Sequence, residues 1–238
     1  MDLKGLRYTA AAILISYVLA ACAPMPPVGT PLTHEQRRDA QDTCIAQYTV
    51  TGAVIGGLGM LALDTLITGR VRGERVAAGT VIGGTLGFAL AWGHCLYLFA
   101  DIRSYPVAGA AETMNQTGYK SSYGSYVKFA SMTITPENVA PGGKVHLNAV
   151  YYLMNSDMYK QISVTEITTL YYYSNIKKDW VDLGTANEQK IVDLGTRRGE
   201  ITFDIPEDAP EGNYRIMLKV LAMGKEDSTT RDLVVRRG

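Results

Sequence analysis

The chain has few residues of the kinds that build metal centres and nucleophilic sites. Its 238 residues include only three cysteines and three histidines, His34, His94 and His146. None of these has the C-x-x-C or H-x-x-x-H spacing of zinc ligands, and no G-x-S-x-G, phosphate-loop or dinucleotide fingerprint occurs. An enzymatic site would have to come from carboxylates and tyrosines of the carboxy-terminal half, where no spacing supports one. We therefore expect no metal, no cofactor and no enzymatic activity.

Charge is also scarce and evenly divided. Charged residues make up 19% of the chain, with 23 Lys and Arg against 23 Asp and Glu, while 47% of residues are hydrophobic. This composition excludes a disordered chain and argues against a nucleic-acid partner. Hydropathy is distributed unevenly, which favours one small domain preceded by other segments.

The amino terminus has the pattern of a secretory signal. Lys4 and Arg7 precede an apolar run over residues 8–19, and small residues follow before Cys22. A basic segment, a short apolar core and small residues before a cleavage point are the features that export requires. The run is too short to cross a bilayer comfortably as a mature helix.

Residues 19–22, Leu-Ala-Ala-Cys, resemble the lipobox of bacterial lipoproteins. The resemblance implies that residues 1–21 are a signal peptide, removed before Cys22, and that Cys22 is acylated, with palmitate as a typical chain. Its acyl chains would bind membrane lipid essentially permanently. Ala23 follows the cysteine, which by the same resemblance favours export to the outer membrane, whereas Asp would favour the inner membrane.

Two long uncharged runs predict a helical hairpin. Residues 22–32 are rich in proline and predict an extended tether, and Thr33 with Gln36 forms a capping box that starts a helix. Residues 43–63 and 76–100 then contain no Asp, Glu, Lys or Arg. Either run is long enough as a helix to cross about 30 Å of hydrocarbon.

Glycine spacing shows how the two runs would pair. Glycines recur every fourth residue, which places them on one helix face and allows close backbone approach: Gly52, Gly56, Gly79, Gly83 and Gly87. One fold point brings Gly52 opposite Gly87 and Gly56 opposite Gly83.

The same fold point brings Cys44 level with Cys95. With Cys22 acylated and the protein exported to an oxidising compartment, we expect a disulfide between them. The alternative is two buried free cysteines, since a sequence does not supply the Cα separation that a disulfide needs.

The predicted hairpin domain spans residues 33–100, and residues 44–100 resemble the glycine-zipper two-helix segments of bacterial envelope lipoproteins. The resemblance implies either tight packing within a monomer or association of hairpins into a homo-oligomer, with a membrane pore or channel component as the alternative function. Arg70, Arg72 and Arg75 at the turn would suit an inner-membrane hairpin by the positive-inside rule. This inner-membrane placement conflicts with the outer-membrane placement that Ala23 favours, and we give more weight to Ala23.

The carboxy-terminal half changes to a period of two. Residues 101–126 predict a connector, helical for a turn or two around residues 108–114, and residues 144–153 alternate apolar and polar side chains as a half-buried strand does. Further strands are predicted at 127–135, 162–173, 199–205, 214–223 and 228–236. The sequence Val-Asp-Leu-Gly-Thr occurs at 181–185 and again at 192–196, which we interpret as two arms of one hairpin.

Residues 127–238 resemble the immunoglobulin-like modules of bacterial surface proteins. The resemblance rests on Ala-Pro-Gly-Gly before an alternating strand and on residues 205–220, where Gly212-Asn213-Tyr214 is similar to a tyrosine corner. Residues 171–173, all tyrosine, together with Trp180 are candidates for a glycan or protein contact. The alternative is that alternate tyrosines are buried in the core.

The expected fold class is therefore α+β in separate parts, a glycine-rich helical hairpin followed by an all-β immunoglobulin-like sandwich. The expected function is that of a lipid-anchored cell-envelope lipoprotein with a structural, assembly or binding role. Its expected partners are membrane lipid, through Cys22 and the hairpin, a further copy of the chain, and an envelope protein or glycan.

Overall fold

The computed structural model describes residues 33, 35–45, 92, 93, 95, 98, 100–175 and 178–238. The chain divides into two compact units, Met1–Ala91 and Trp92–Gly238.

In the first unit, residues 35–45 form a helix that begins with the predicted capping box. The Gln36 backbone N–H donates to Thr33 Oγ1 at 3.2 Å, and the Thr33 N–H donates back to Gln36 Oε1 at 3.0 Å. This reciprocal pair satisfies two backbone donors that the first turn of a helix leaves without partners.

The second unit is built mainly of strands. Those in its described residues are β1 (Ala100–Gly109), β2 (Tyr126–Thr135), β3 (Asn138–Val139), β4 (Lys144–Met154), β5 (Ile162–Ser174), β6 (Asp179–Val192), β7 (Gly195–Asp204), β8 (Gly212–Ala222) and β9 (Lys225–Val235). A short helix, Ala110–Thr117, and a 3₁₀ turn, Ser121–Tyr123, lie between β1 and β2.

The strands form a sandwich of two sheets. One sheet has the order β1-β7-β4-β2 and the other has the order β3-β9-β8-β5-β6. The predicted β-sandwich is thus confirmed. The β1 edge of the first sheet and the β6 edge of the second lie on the same side of the sandwich, where Ser104 of β1 and Lys190 of β6 both contact Glu166 of β5.

Alternation along the strands builds the core between the sheets. In β4 the five side chains predicted to share one face are all buried: Val145, Leu147, Ala149, Tyr151 and Leu153. β8 alternates in the same way, from Tyr214 to Ala222. Each large apolar side chain buried in this layer contributes about 1.5–3 kcal/mol to folding.

A carboxylate joins the two sheets on the side of the sandwich that carries β2 and β9. The register of β2 against β4 shifts between Phe129 and Ser131. At this bulge the Phe129 N–H donates to Asp227 Oδ2 of β9 at 2.7 Å. Asp227 of the five-stranded sheet thus links the two sheets through a backbone donor of β2 next to the bulge.

Residues 101–126 form more than the predicted connector. They provide most of β1, which pairs with β7, as well as the helix Ala110–Thr117, near the predicted helical turn. The inward positions of β1 include Ser104 and Pro106, so this edge strand lacks the apolar alternation by which a strand is recognised. Pro106 is tolerated because an edge strand needs hydrogen bonds on one side only.

The repeated Val-Asp-Leu-Gly-Thr does not form the predicted hairpin, and that interpretation is wrong. The first copy lies in β6, which pairs with β5, whereas the second leads into β7, which pairs with β4 and β1 in the other sheet. Both copies bury their leucine, Leu183 and Leu194, and in both the glycine has a positive φ. The two copies therefore share a local conformation, in which a buried leucine is followed by a glycine with a positive φ.

Most of the predicted helical hairpin lies outside the described residues. This applies to Gly52, Gly56, Gly79, Gly83 and Gly87, as it does to the signal peptide 1–21, Cys22 and the rest of the tether 22–32. Among the helices that are described, none is long and apolar enough to cross a membrane. The described fold is mostly β.

Candidate functional site

A group of polar and charged side chains points into the space between the two sheets. Ser104 of β1, Tyr151 of β4 and Arg197 of β7 come from the four-stranded sheet, and Glu166 of β5 and Lys190 of β6 come from the other. We call these five residues the Glu166 cluster. The strand register positions them, because each lies on the inward face of its strand near the β1 and β6 edges.

The Glu166 carboxylate accepts bonds from both sheets. Oε1 accepts a hydrogen bond from Ser104 Oγ at 2.8 Å and another from the Tyr151 hydroxyl. Oε2 lies 2.9 Å from Lys190 Nζ, and both side chains are mostly buried, with 14% and 18% of their surface exposed. These partners compensate for the water that the largely buried carboxylate loses on folding.

Lys190 also pairs with a second carboxylate, that of Glu188. Glu188 lies directly opposite Glu166 in the β5–β6 ladder, an arrangement that places two like charges side by side. Lys190 Nζ lies 3.1 Å from Glu188 Oε2 as well, so one ammonium group reduces the repulsion between them.

Arg197 adds a second buried cation. Its residue is 6% exposed, and Nη2 donates to the Ser104 carbonyl at 3.3 Å and to Ser104 Oγ at 3.4 Å. Within the described residues its Nε atom has no hydrogen-bond partner. Arg197 therefore holds the β1 edge through Ser104 but makes no direct ion pair with Glu166.

Tyr151 is held in its neutral form. Burial raises the pKa of its hydroxyl, and the nearby Glu166 charge and the hydrogen bond to it raise that pKa further. The Arg197 charge and the Ser104 hydrogen bond act in the opposite direction with less effect. Tyr151 thus acts as a hydrogen-bond donor to the carboxylate.

A small cavity lies beside the cluster. Its volume is about 30 Å³, room for about one or two waters. Its lining is mainly apolar and includes Ile102, Ala149, Ile201 and Val220. Gly199 also lines it, and a Cβ atom added there would meet nothing within 4 Å. The cavity is too small for an organic substrate.

The chemistry of this site is that of a fixed polar link between the sheets. Glu188 and Lys190 also place charges on the inward face of an edge strand, which opposes pairing of that edge with another chain. The Glu166 cluster was missed by the sequence analysis, because only strand register reveals that these scattered charges share one layer.

The tyrosines at residues 171–173 divide between the two faces of β5. Tyr172 is buried, whereas Tyr171 and Tyr173 are partly exposed on the outer face. This division agrees with the alternative prediction that alternate tyrosines are buried in the core. On that face the Tyr173 and Trp180 rings meet edge to face with centroids 5.4 Å apart. Arg215 Cζ lies 4.1 Å from the Trp180 ring centroid, so one ring face is occupied by a cation–π contact.

Arg215 is itself held by Asp232 on the neighbouring strand. Nε and Nη2 donate to the two carboxylate oxygens at 2.6 and 3.0 Å. This hydrogen bond, followed by the charge of Asp232, raises the pKa of Arg215. The pair and the Trp180 contact form a cross-strand ladder on the outer face of the five-stranded sheet.

The predicted tyrosine corner is present at one end of the sandwich. The Tyr214 hydroxyl donates to the Pro210 carbonyl oxygen at 2.7 Å, four residues upstream. Tyr214 also contacts Tyr172 and Trp92, with ring centroids 5.1 and 5.4 Å away. Burial raises the pKa of Tyr214, with a smaller effect from Tyr172.

The remaining predicted site residues have different outcomes. Cys44 and Cys95 are disulfide-bonded, which confirms the predicted pairing over free thiols. Cys22 and the five zipper glycines lie outside the described residues, so their roles stay predictions. His146 is exposed on β4, where Nδ1 lies 3.1 Å from Thr202 Oγ1. The described residues contain no group of three or more His, Cys, Asp or Glu placed to hold a metal ion.

Comparison with known proteins identifies no family for this chain. No protein-family model and no curated protein matches the chain. The sporulation control protein Spo0M from Bacillus subtilis is 12% identical with a TM-score of 0.34, and the match covers 47% of this chain and 50% of that one. This chain thus matches about half the length of Spo0M.

Two other solved structures are similarly distant. The CARDB domain of a Pyrococcus furiosus protein, solved in complex with di-metal ions, is 12% identical over 47% of this chain and 89% of that one, with a TM-score of 0.32. A cycloisomaltooligosaccharide glucanotransferase from Paenibacillus sp. is 18% identical over 47% of this chain and 14% of that one, with a TM-score of 0.33. Likenesses this weak carry no conclusion about function.

Proposed function

We propose that this protein is a non-enzymatic lipoprotein of the bacterial cell envelope, anchored by acylated Cys22, whose β-sandwich serves as a binding or assembly module. The lipobox at residues 19–22 and the proline-rich tether that follows support the anchor. The finer assignment of the sandwich as immunoglobulin-like is supported by the hydrogen bond from Tyr214 to Pro210, the contact that defines a tyrosine corner.

The disulfide between Cys44 and Cys95 is the observation that carries the proposal. Stable structural disulfides form in oxidising compartments such as the periplasm and are rare in the cytosol. The bond therefore supports export, and export is what the signal peptide and the lipobox require.

The Glu166 cluster supports a non-enzymatic role. Glu166 is paired with Lys190 and accepts hydrogen bonds from two hydroxyl groups, so most of its acceptor capacity is used within the protein. The raised pKa of Tyr151 keeps its hydroxyl protonated and makes it a weak acid. The adjacent cavity of about 30 Å³ has no space for a substrate other than water.

Anchoring is tested by fractionation of cells that express the full chain or Cys22→Ser. We expect the wild type to carry a palmitate label and to sediment with membranes, and Cys22→Ser to lose the label. Cys44→Ser is the matched control, because it removes a thiol and leaves the lipobox intact. Equal labelling of wild type and Cys22→Ser would overturn the proposed anchor.

The choice of membrane is tested by density-gradient separation of the two membranes. We expect the wild type in the outer-membrane fraction and Ala23→Asp in the inner-membrane fraction. Wild type found wholly in the inner membrane would contradict the outer-membrane assignment while leaving the anchor in place.

Liposome conductance separates the proposal from the pore alternative. We expect the purified full chain, reconstituted in liposomes, to produce no channel currents. Discrete current steps that disappear when Gly83 is replaced by a bulky residue would replace the proposed function by a zipper-assembled pore.

A further inference from the structure

Four of the large hydrophobic side chains exposed in the described residues lie towards one end of the sandwich: Val107, Tyr123, Tyr159 and Ile191. A fifth, Tyr105, lies at mid-strand, level with Val150 of β4. Tyr159 is 95% exposed and Tyr123 is 61% exposed. Single exposed apolar side chains are common on protein surfaces, whereas several in one region mark a candidate interaction surface.

Strand register places them together. Tyr126 at the start of β2 pairs with Met154 at the end of β4, so the turn that carries Tyr123 and the loop that carries Tyr159 share an end. Ile162 pairs with Val192, which brings Ile191 to the same end. Gly109 pairs with Gly195, which adds the last residues of β1, with Val107. We call this region the tyrosine end.

The chain enters the sandwich at the opposite end. Ala100, the first residue of β1, pairs with Phe203 near the end of β7. The tyrosine corner formed by Tyr214 and Pro210 also lies there, because Tyr214 follows the turn that joins β7 to β8. In a protein tethered by its amino terminus, the tyrosine end is therefore the end of the sandwich away from the point of chain entry.

The loop that presents Tyr159 is held by hydrogen bonds. Asn155 Oδ1 accepts from the Asp157 N–H at 3.2 Å, and Asp157 Oδ1 accepts from the Tyr159 N–H at 3.3 Å. Asn155 Nδ2 donates to Ser125 Oγ at 3.2 Å, which joins this loop to the turn of Tyr123. Gln161 ties its other side to Asp193. A loop ordered before binding loses less conformational entropy when a partner docks.

The two segments have the composition of a protein-binding surface. Residues 121–125 read Ser-Ser-Tyr-Gly-Ser and residues 155–160 read Asn-Ser-Asp-Met-Tyr-Lys. Tyrosine supplies a large contact area with few rotatable bonds, and Ser, Gly and Asn supply adaptable hydrogen bonding, as in antibody loops.

The charges of the tyrosine end favour a protein partner over lipid. Lys120, Lys160 and Lys225 are exposed and make no ion pair within the described residues, while Glu112, Asp157 and Asp193 are exposed at the same end. The two signs balance, so this end has no net charge to attract an anionic membrane surface. A protein surface of mixed charge can complement both signs.

We propose that the tyrosine end is a docking surface for a folded envelope protein, with Tyr159 and Tyr123 as its anchors and Lys160 and Asp157 as charged contacts at the rim. This inference rests on the proposed function, because it names the surface through which an anchored sandwich would bind its partner.

The test uses a photoreactive phenylalanine analogue placed in the full chain in intact cells. Tyr159 and Tyr123 are replaced one at a time, and Asp208, exposed at the opposite end, is replaced as the matched control. We expect the same protein adduct from positions 159 and 123 and none from position 208. The partner, identified by mass spectrometry and purified, should bind Tyr159→Ala or Lys160→Ala about tenfold more weakly than wild type. Asp208→Ala should bind like wild type.

Several outcomes would overturn the inference. These are the absence of an adduct, adducts of equal strength from position 208, an adduct with a second copy of this chain, and an identified partner whose affinity is unchanged by Tyr159→Ala. Binding of the purified sandwich-containing chain to vesicles of phosphatidylglycerol and phosphatidylcholine that is lost in Tyr159→Ala would assign the surface to lipid instead. Failure of the anchor appears separately, as loss of palmitate labelling, so the two proposals are distinguishable.

Discussion

Lys190 Nζ lies 2.9 Å from Glu166 Oε2, and this ion pair faces the interior of the sandwich. Exposed ion pairs contribute little to stability because water screens them, whereas a mostly buried pair becomes costly when one partner is removed. The pair also lies at the β6 edge, where it joins an edge strand to the rest of its sheet.

Lys190→Met should destabilise the protein by about 1–3 kcal/mol, since it leaves Glu166 and Glu188 as adjacent charges without a cation. Urea unfolding of the purified protein measures the loss. The double variant Lys190→Met/Glu166→Gln should lose less than the sum of the single variants. Lys144→Met is the control, because Lys144 and Asp204 form an exposed pair at 3.3 Å, and its effect should stay within about 0.5 kcal/mol. Equal losses from Lys144→Met and Lys190→Met would contradict the interior role.

Tyr214→Phe should destabilise the sandwich by about 1–2 kcal/mol. The substitution keeps the ring contacts to Tyr172 and Trp92 but removes the hydrogen bond to Pro210, which leaves a partly buried carbonyl without its donor. Denaturant unfolding provides the measurement, with Tyr159→Phe as the matched control at an exposed position. A Tyr214→Phe protein as stable as wild type would show that the corner hydrogen bond contributes nothing net.

Alkaline pH should destabilise the folded protein through Tyr151 and Tyr214. Burial raises the pKa of each above the ordinary tyrosine value of 10.0, so the unfolded chain loses these protons before the folded chain does. Their contribution is therefore complete below a pH of about 10 and is lost as pH rises above that value. The free energy of unfolding, measured from about pH 8 to pH 11, should fall less steeply in Tyr214→Phe than in wild type. Identical slopes would refute the linkage.

Two inward glycines of β7 should respond oppositely to alanine. At Gly199 an added methyl group meets nothing within 4 Å, so Gly199→Ala should stabilise the protein by about 0.4–1 kcal/mol through the unfolded chain. At Gly195 the φ of +137° is unfavourable for alanine, and the added Cβ would lie 2.1 Å from the Ala108 carbonyl oxygen. Gly195→Ala should cost about 2 kcal/mol or more. Thermal unfolding of both variants tests this, and similar shifts in Tm would be inconsistent with the backbone arrangement at the β1–β7 edge.

Cys44 and Cys95 should be recovered as a linked peptide pair when freshly isolated protein is trapped, digested and mapped by mass spectrometry without reduction. Cys44→Ser should leave Cys95 open to alkylation while the sandwich stays folded, because residues 100–238 contain no cysteine. Two alkylated thiols at 44 and 95 in the wild type would contradict the bond.

Much of the sandwich could be predicted because its central strands bury one face and leave the other in contact with solvent. β4 and β8 alternate for that reason, and their positions follow from a period of two. Two edge strands, β1 and β6, were missed because half of their surroundings is solvent and their inward positions are partly polar. β1 carries Ser104 and Pro106 on its inward face, and β6 carries Glu188 and Lys190, so neither shows an apolar stripe.

The amino-acid sequence by itself determined the capping box at Thr33 and Gln36, the tyrosine corner and the pairing of Cys44 with Cys95, because each depends on local spacing or on one simple symmetry of the chain. Only the tertiary structure decided which charges meet. Glu166, Lys190 and Arg197 lie on three strands of two sheets, and the strand order that brings them together depends on packing between the sheets. The gathering of Tyr123 and Tyr159 at one end has the same cause, since register aligns segments that are distant in the chain.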